Sequence, residues 1–573
     1  MELVKDLTYS DIQHLIAVKA MFYVFLAGSV AWVLRRWRLS YFLLWVGLAS
    51  GLAYYFFVRH LALMFWGLQG DEVTIAAMYE MFAHGSLFSD FAYASLPPFY
   101  PALFFQVFGA LGRLMDWNGV QIAKFASLFT IVVYPFVFYR LQEKYWRRRR
   151  ADEFAPGPLA WFISAVLLFV FLDWDAIILK PYEMVSASLA ILWGGFLLYD
   201  LWHDRFGSGR GWWYGLTGGL LFLLFYFWFF LLAIGAALFN LFYKKVAAWQ
   251  YWRLAFVGAV ALAVGALFWL PLALSYRELG AENWQLGFLH LPWLATHGPA
   301  MAFTLRGLLM LLALGGLIFF RSRFYPRVLL SFLAAGYVWQ AMGLAAIWLF
   351  ASPLQEAKGF HFFNTIVLAL AAAYFLERVW LYLLRRYPAA AWRTSAALVG
   401  VIALSGQLFF GTFADEPVVQ RNRSLARSPY AGVTELAAFL RDRGDAFTKV
   451  SVQPGSTHLP AFAPLNTFVY YNMHNSHPAA NFSDRLLFLE ELGRARTPEE
   501  FYRLARENRF GPIDRFILFP AVGGEHRLYF TVDNFPHESR ERVIVLPAGN
   551  FAEPWFAKVY ESPHFVVFEP RTR

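Results

Sequence analysis

The sequence predicts a polytopic α-helical membrane protein that carries a C-terminal extracytoplasmic α/β domain. Three observations carry that expectation. Hydrophobic residues make 59% of the 573-residue chain and charged residues only 15%, apolar runs of spanning length recur up to residue 413, and an ordinary polar composition returns after it. So apolar a chain cannot cover itself with polar surface, and a bilayer must be its solvent. Aromatic residues make 20%, with 23 Trp, the amphipathic rings that gather where hydrocarbon meets headgroups. Cysteine is absent, which excludes disulfides, thiol nucleophiles and thiolate metal sites. The net charge of +10 sits in short basic clusters between apolar runs, a pattern of orientation signals and not of nucleic-acid binding.

A spanning helix needs roughly 20 mostly apolar residues, and about twelve candidate spans satisfy that length. They lie near 14–34, 40–58, 119–139, 158–178, 184–202, 212–227, 228–243, 254–274, 301–320, 328–350, 361–383 and 394–413. The first follows an acidic, polar stretch without a small-residue cleavage site, so it is expected to be a retained span. The run 212–243 is too long for one span and is divided into two. That count puts Arg35, Arg36, Arg38, Arg147 to Arg150, Arg205, Arg210, Lys244, Lys245, Arg321, Arg323, Arg327, Arg385 and Arg386 on one side, the cytoplasm by the positive-inside bias.

Loops 70–118, 180–183, 275–300 and 351–361 are then external. Residues 1–413 form the expected membrane domain and 414–573 the expected soluble domain outside the cell membrane. In the latter, 430–443 and 483–507 read as helices, and 449–452, 513–519, 527–532, 542–546 and 556–568 as strands.

Candidate chemistry lies in the external loops. Asp71 and Glu72 follow Gly70. Adjacent carboxylates there suit deprotonation of a hydroxyl or capture of a divalent cation, and equally the first turn of a helix, where acids favour the dipole. Downstream, LPPFYP (Leu96 to Pro101) is a stiff aromatic strip that includes Tyr100, because proline fixes its backbone and lacks a donor. Asp90 just before it is either a further site acid or a solvated loop residue.

KPYE (Lys180 to Glu183) joins two spans; Lys180 is placed to neutralise a phosphate at headgroup depth, or to snorkel. QEAKGFH (Gln355 to His361) adds Glu356, Lys358 and His361 on the same side, and Lys358 and His361 offer donors to a phosphate leaving group. The spans are otherwise nearly free of ionisable groups, which weighs against ion-coupled transport. The soluble domain has no GxGxxG, P-loop, GxSxG or HExxH pattern, and its His458, His474, His477 and His526 lack metal-ligand spacing. Substrate docking is its expected role.

An acidic pair opening the first large external loop, many spans and an external C-terminal domain resemble the GT-C class of membrane glycosyltransferases. Within it, the run from Asp71 through LPPFYP, followed by KPYE, resembles the arabinofuranosyltransferases that prime arabinan on cell-wall galactan. The pair is Asp-Glu where Asp-Asp is common, and Ala102 stands where a second proline is usual.

The resemblance implies inverting transfer from a polyprenyl-phosphate sugar, decaprenyl-phosphoryl arabinofuranose, to a polysaccharide acceptor at the outer face of the plasma membrane. It implies Asp71 as base, with Glu72 as its partner or as acceptor or metal ligand. Lys180, Lys358 and His361 would contact the phosphate, and Tyr100, Tyr182, Glu183, Glu356 and Asp90 the substrates. A divalent cation on Asp71 and Glu72 is the one candidate cofactor. The alternatives are transfer of mannose or aminoarabinose to protein or lipid and, from another class, a lipid-linked glycan flippase.

Overall fold

The computed structural model describes residues 9–35, 38–65, 67–68, 70–147, 155–172, 174–243, 248–282, 298–301, 303–355, 358–387, 390–410, 424–532 and 539–571. Among these, seven helices are long and apolar enough to cross a membrane: Ile16–Arg35, Leu39–Val58, Gly119–Trp146, Pro181–Trp202, Gln250–Leu279, Phe324–Phe350 and His361–Arg386. Shorter apolar helices, among them Pro158–Phe171 and Phe227–Tyr243, complete a polytopic bundle.

The run 212–243 is broken at Tyr226 into α-helices Ser208–Phe225 and Phe227–Tyr243. They take different partners, the first packing along Ala248–Leu279 and the second against Phe324–Phe350. Loop 70–118 is itself largely helical. It holds Asp71–His84 and Leu103–Met115, the latter amphipathic, with Val107, Leu111, Leu114 and Met115 exposed.

Two charges inside the bundle satisfy backbone groups at helix ends. Lys124 donates to the carbonyls of Val58, at 3.3 Å, and Leu61, closing the end of helix Leu39–Val58. Glu377 accepts from the backbone N–H groups of Gly157 (2.7 Å), Leu159 (3.2 Å) and Ala160 (3.1 Å). Those donors open helix Pro158–Phe171 and have no intrahelical partner, so a carboxylate there satisfies them and the dipole together. Glu377→Ala is expected to destabilise the protein by about 2–3 kcal/mol, and Glu377→Gln, which keeps an acceptor, by less. Thermal unfolding in detergent measures both.

Residues 424–571 hold a five-stranded sheet of order β2-β1-β3-β7-β6, formed by Asn466–Thr467, Val450–Val452, Arg515–Leu518, Val566–Pro570 and Phe556–Glu561, with β1 parallel to β2 and β3 and the rest antiparallel. Strands β4 (Glu525–Val532) and β5 (Arg540–Pro547) pair separately. Segment 556–568, expected as one strand, is two. The chain turns at 562–565, where the Ser562 N–H donates to Phe565 O at 2.8 Å and Pro563 has no N–H to continue a ladder. Strand β2 was not expected. The expected boundary at residue 413/414 lies outside the described residues.

This unit is pinned to loop 70–118. Thr467 N donates to Ala92 O at 2.7 Å and Tyr470 N to Tyr93 Oη at 3.0 Å. Ser476 Oγ lies 2.7 Å from Tyr93 Oη, and Thr74 Oγ1 3.2 Å from Tyr470 Oη. The first three hold loop 92–93, and the last holds the first turn of helix Asp71–His84 against Tyr470.

Candidate active site

Asp71 is the first residue of its helix. Gly70, which precedes it, has φ +58° and ψ −117°, a conformation that side-chain-bearing residues rarely adopt. The abrupt turn delivers the carboxylate to the mouth of a cavity of about 630 Å³. Asp71 Oδ2 accepts from Lys180 Nζ at 2.8 Å, both side chains partly exposed to the cavity. Burial favours the neutral acid, but Lys180, with His474 and Lys358 further off, holds the Asp71 carboxyl down at about 2. Burial likewise opposes the charge on Lys180, yet Asp71, Glu183 and Glu72 keep it protonated, above the ordinary lysine range.

Lys358 also lines the cavity. Its Nζ donates to Glu183 Oε1 at 2.7 Å and lies 4.8 Å from the centre of the Phe225 ring. Lys358 opens a π-helical turn, Lys358–Phe363, of the kind that recurs at functional sites. Gly359 follows it against Trp339, where an added Cβ would stand 2.8 Å from the indole Cδ1. Tyr100 and Tyr182 share a hydroxyl contact of 3.2 Å beside Phe225. The break at Tyr226 supplies Phe225, Tyr226 and Phe227 to the lining, which Phe230 and Trp339 extend into one aromatic wall.

The structure therefore gathers Asp71, Tyr100, Lys180, Tyr182 and Lys358 around one cavity, with Glu183 behind Lys358. Glu72 is half-buried in the same helical turn without lining the cavity. His361 sits three residues beyond Lys358 in the same π-helical segment and is likewise not part of the lining. Glu356 lies outside the described residues.

Asp90 corrects the expectation of a substrate contact. It is buried, lies away from the lining, and accepts from Ala92 N (2.9 Å) and Tyr93 N (3.2 Å), shaping the loop that seats the C-terminal unit. Burial outweighs those hydrogen bonds and pushes its carboxyl up to about 7. The folded state thus holds a proton that the unfolded chain releases near pH 4. Stability should fall as pH rises from about 4 to about 7, and Asp90→Asn should flatten that slope in unfolding measured across the range.

Asp71 and Glu72 do not fit a divalent cation: an ammonium engages Asp71, and among the described residues no group of three or more His, Asp or Glu is placed to hold a metal ion.

Sequence reasoning missed the roof. Asn472, His474, Asn475, Thr531 and Ser539 come from the C-terminal unit and close the cavity over Asp71. They stand some four hundred positions along the chain from Asp71 with no spacing that marks them.

The apolar spans define a polytopic membrane protein, and the sequence likeness makes it a glycosyltransferase. The particular proteins that the chain resembles are galactan arabinofuranosyltransferases. It is 22% identical over 542 residues to the galactan 5-O-arabinofuranosyltransferase of Mycobacterium leprae, covering 86% of this chain and 82% of the relative. With the protein of the same name from Mycobacterium tuberculosis the identity is 21% over 523 residues, 86% of this chain and 78% of the relative. Among solved structures, arabinofuranosyltransferase AftD from mycobacteria aligns with 92% of this chain at 13% identity and a TM-score of 0.45, and this chain spans 41% of that one. No protein-family model matches the chain.

Proposed function

We propose that the protein transfers arabinofuranose, with inversion, from a polyprenyl-phosphate donor to a galactan acceptor at the outer face of the plasma membrane. The observation that carries this reading is the single cavity in which one ion-paired carboxylate, two lysines and an aromatic wall converge. Lys180 and Lys358 receive the donor phosphate, and the aromatic wall takes the first isoprene units of its chain.

An acceptor hydroxyl attacks the anomeric carbon, the bond from that carbon to the phosphate oxygen breaks, and the hydroxyl proton passes to Asp71. As the phosphate draws on Lys180, the pairing that holds Asp71 so acidic weakens and its basicity rises. Among the described residues that line the cavity Asp71 is the one carboxylate, and Glu183 behind them is held by Lys358; a single displacement inverts. The basic clusters at the opposite ends of the helices support an external site.

The test incubates purified protein with labelled polyprenyl-phosphoryl arabinose and galactan oligosaccharides. Labelled oligosaccharide is the expected product; turnover with polyprenyl-phosphoryl mannose alone would overturn the sugar assignment.

A further inference from the structure

We propose that Asn472, His474, Asn475 and Thr531 form the acceptor subsite, a site for the hydroxyls of an uncharged saccharide; this rests on the reading above. The cavity is chemically lopsided. Its floor and wall carry the lysines and the aromatic rings. The described part of its roof carries amides, hydroxyls and one imidazole, with no lysine, arginine or carboxylate. Phosphate is drawn to the first surface, whereas neutral hydroxyls match the second, since amides and hydroxyls offer both donors and acceptors.

Asn475 points to a ligand independently. It is only 9% exposed, lines the cavity, and its Nδ2 has no hydrogen-bond partner among the described residues. Buried donors are rarely left unmet, and a sugar oxygen would meet this one. The roof is also fixed in place. Asn472 Oδ1 accepts from the His474 N–H at 2.9 Å, Thr531 N donates to Tyr471 O at 2.8 Å, and Ser476 is tied to Tyr93. His474 is near enough to Asp71 to act on its charge, so a hydroxyl held by the roof lies beside the base. The donor enters from the membrane side and the acceptor from the C-terminal side, and they meet at Asp71.

The test compares steady-state constants of wild type, Asn475→Ala, His474→Gln and Thr531→Val with labelled polyprenyl-phosphoryl arabinose and galactan oligosaccharides, each variant first matched to wild type in thermal unfolding. KM for the oligosaccharide should rise about tenfold or more, with KM for the donor moving far less. Should Asn475→Ala unfold, Thr531→Val, which removes a hydroxyl at nearly constant volume, carries the test. An unchanged oligosaccharide KM in folded variants, or equal rises for both substrates, overturns the subsite while wild-type transfer leaves the function standing. A wild type that consumes no polyprenyl-phosphoryl sugar overturns both.

Discussion

Replacing Asp71 with asparagine is expected to lower transfer by about 10²- to 10⁴-fold, the range that a positioned general base contributes, without loss of donor binding. Asparagine keeps the shape of the side chain and removes its capacity to take a proton. It also removes the charge paired with Lys180, whose Nζ stands 2.8 Å from Asp71 Oδ2, so the ammonium, with Glu183 and Glu72 as its remaining acidic neighbours, is freer to meet the donor phosphate. Donor affinity should hold or tighten while turnover collapses, a combination that a folding defect does not produce. Turnover and donor binding measured on the same preparation decide it. Near-normal turnover in Asp71→Asn would remove the base from the mechanism, and a flippase would tolerate the change.

The second large effect concerns Lys358. With its side chain 15% exposed and that of Glu183 5%, the pair is buried, unlike the half-open pair of Asp71 and Lys180. Lys358→Met alone should cost about 3–5 kcal/mol of stability, because it strands a buried carboxylate. Pairing it with Glu183→Gln should restore most of that stability and none of the phosphate contact. The double variant is therefore expected to unfold near the wild-type temperature and to bind the polyprenyl-phosphate donor about tenfold to a hundredfold more weakly, the worth of one charge-assisted hydrogen bond. Recovery of donor affinity along with stability would reduce Lys358 to a structural partner of Glu183.

The membrane-facing half of the site was legible in the sequence because its chemistry is rare in its setting. Asp71, Lys180 and Lys358 are charges at the ends of apolar runs, where an ionisable group needs a reason. Asp90 misled because a carboxylate in a polar loop looks alike whether it faces water or, as here, accepts backbone N–H groups inside a turn. His361 shares a local run with Lys358, and only the π-helical geometry separates the lysine, which lines the cavity, from the histidine, which does not.

The aromatic wall was hidden in plain view. FYFWFF, Phe225 to Phe230, reads as span by hydropathy, and the break at Tyr226, around which four of its rings face the cavity, depends on the separate packing partners of the two helices. The roof was not legible at all, since Asn472, His474 and Asn475 carry no local pattern and meet Asp71 only through the docking of residues 466–476 on loop 90–94.

That the roof comes from the last stretch of the chain bears on how the protein is made. The ribosome finishes every cavity-lining residue up to Lys358 before residues 472–539 emerge. The half-built protein thus holds a cleft without the roof, and the proposed acceptor subsite exists only once residues 466–476 have settled onto loop 90–94. On the proposed function, an unfinished chain would offer a lipid-linked donor its lysines and aromatic wall but no place for an acceptor, so the order of synthesis ties competence to completion.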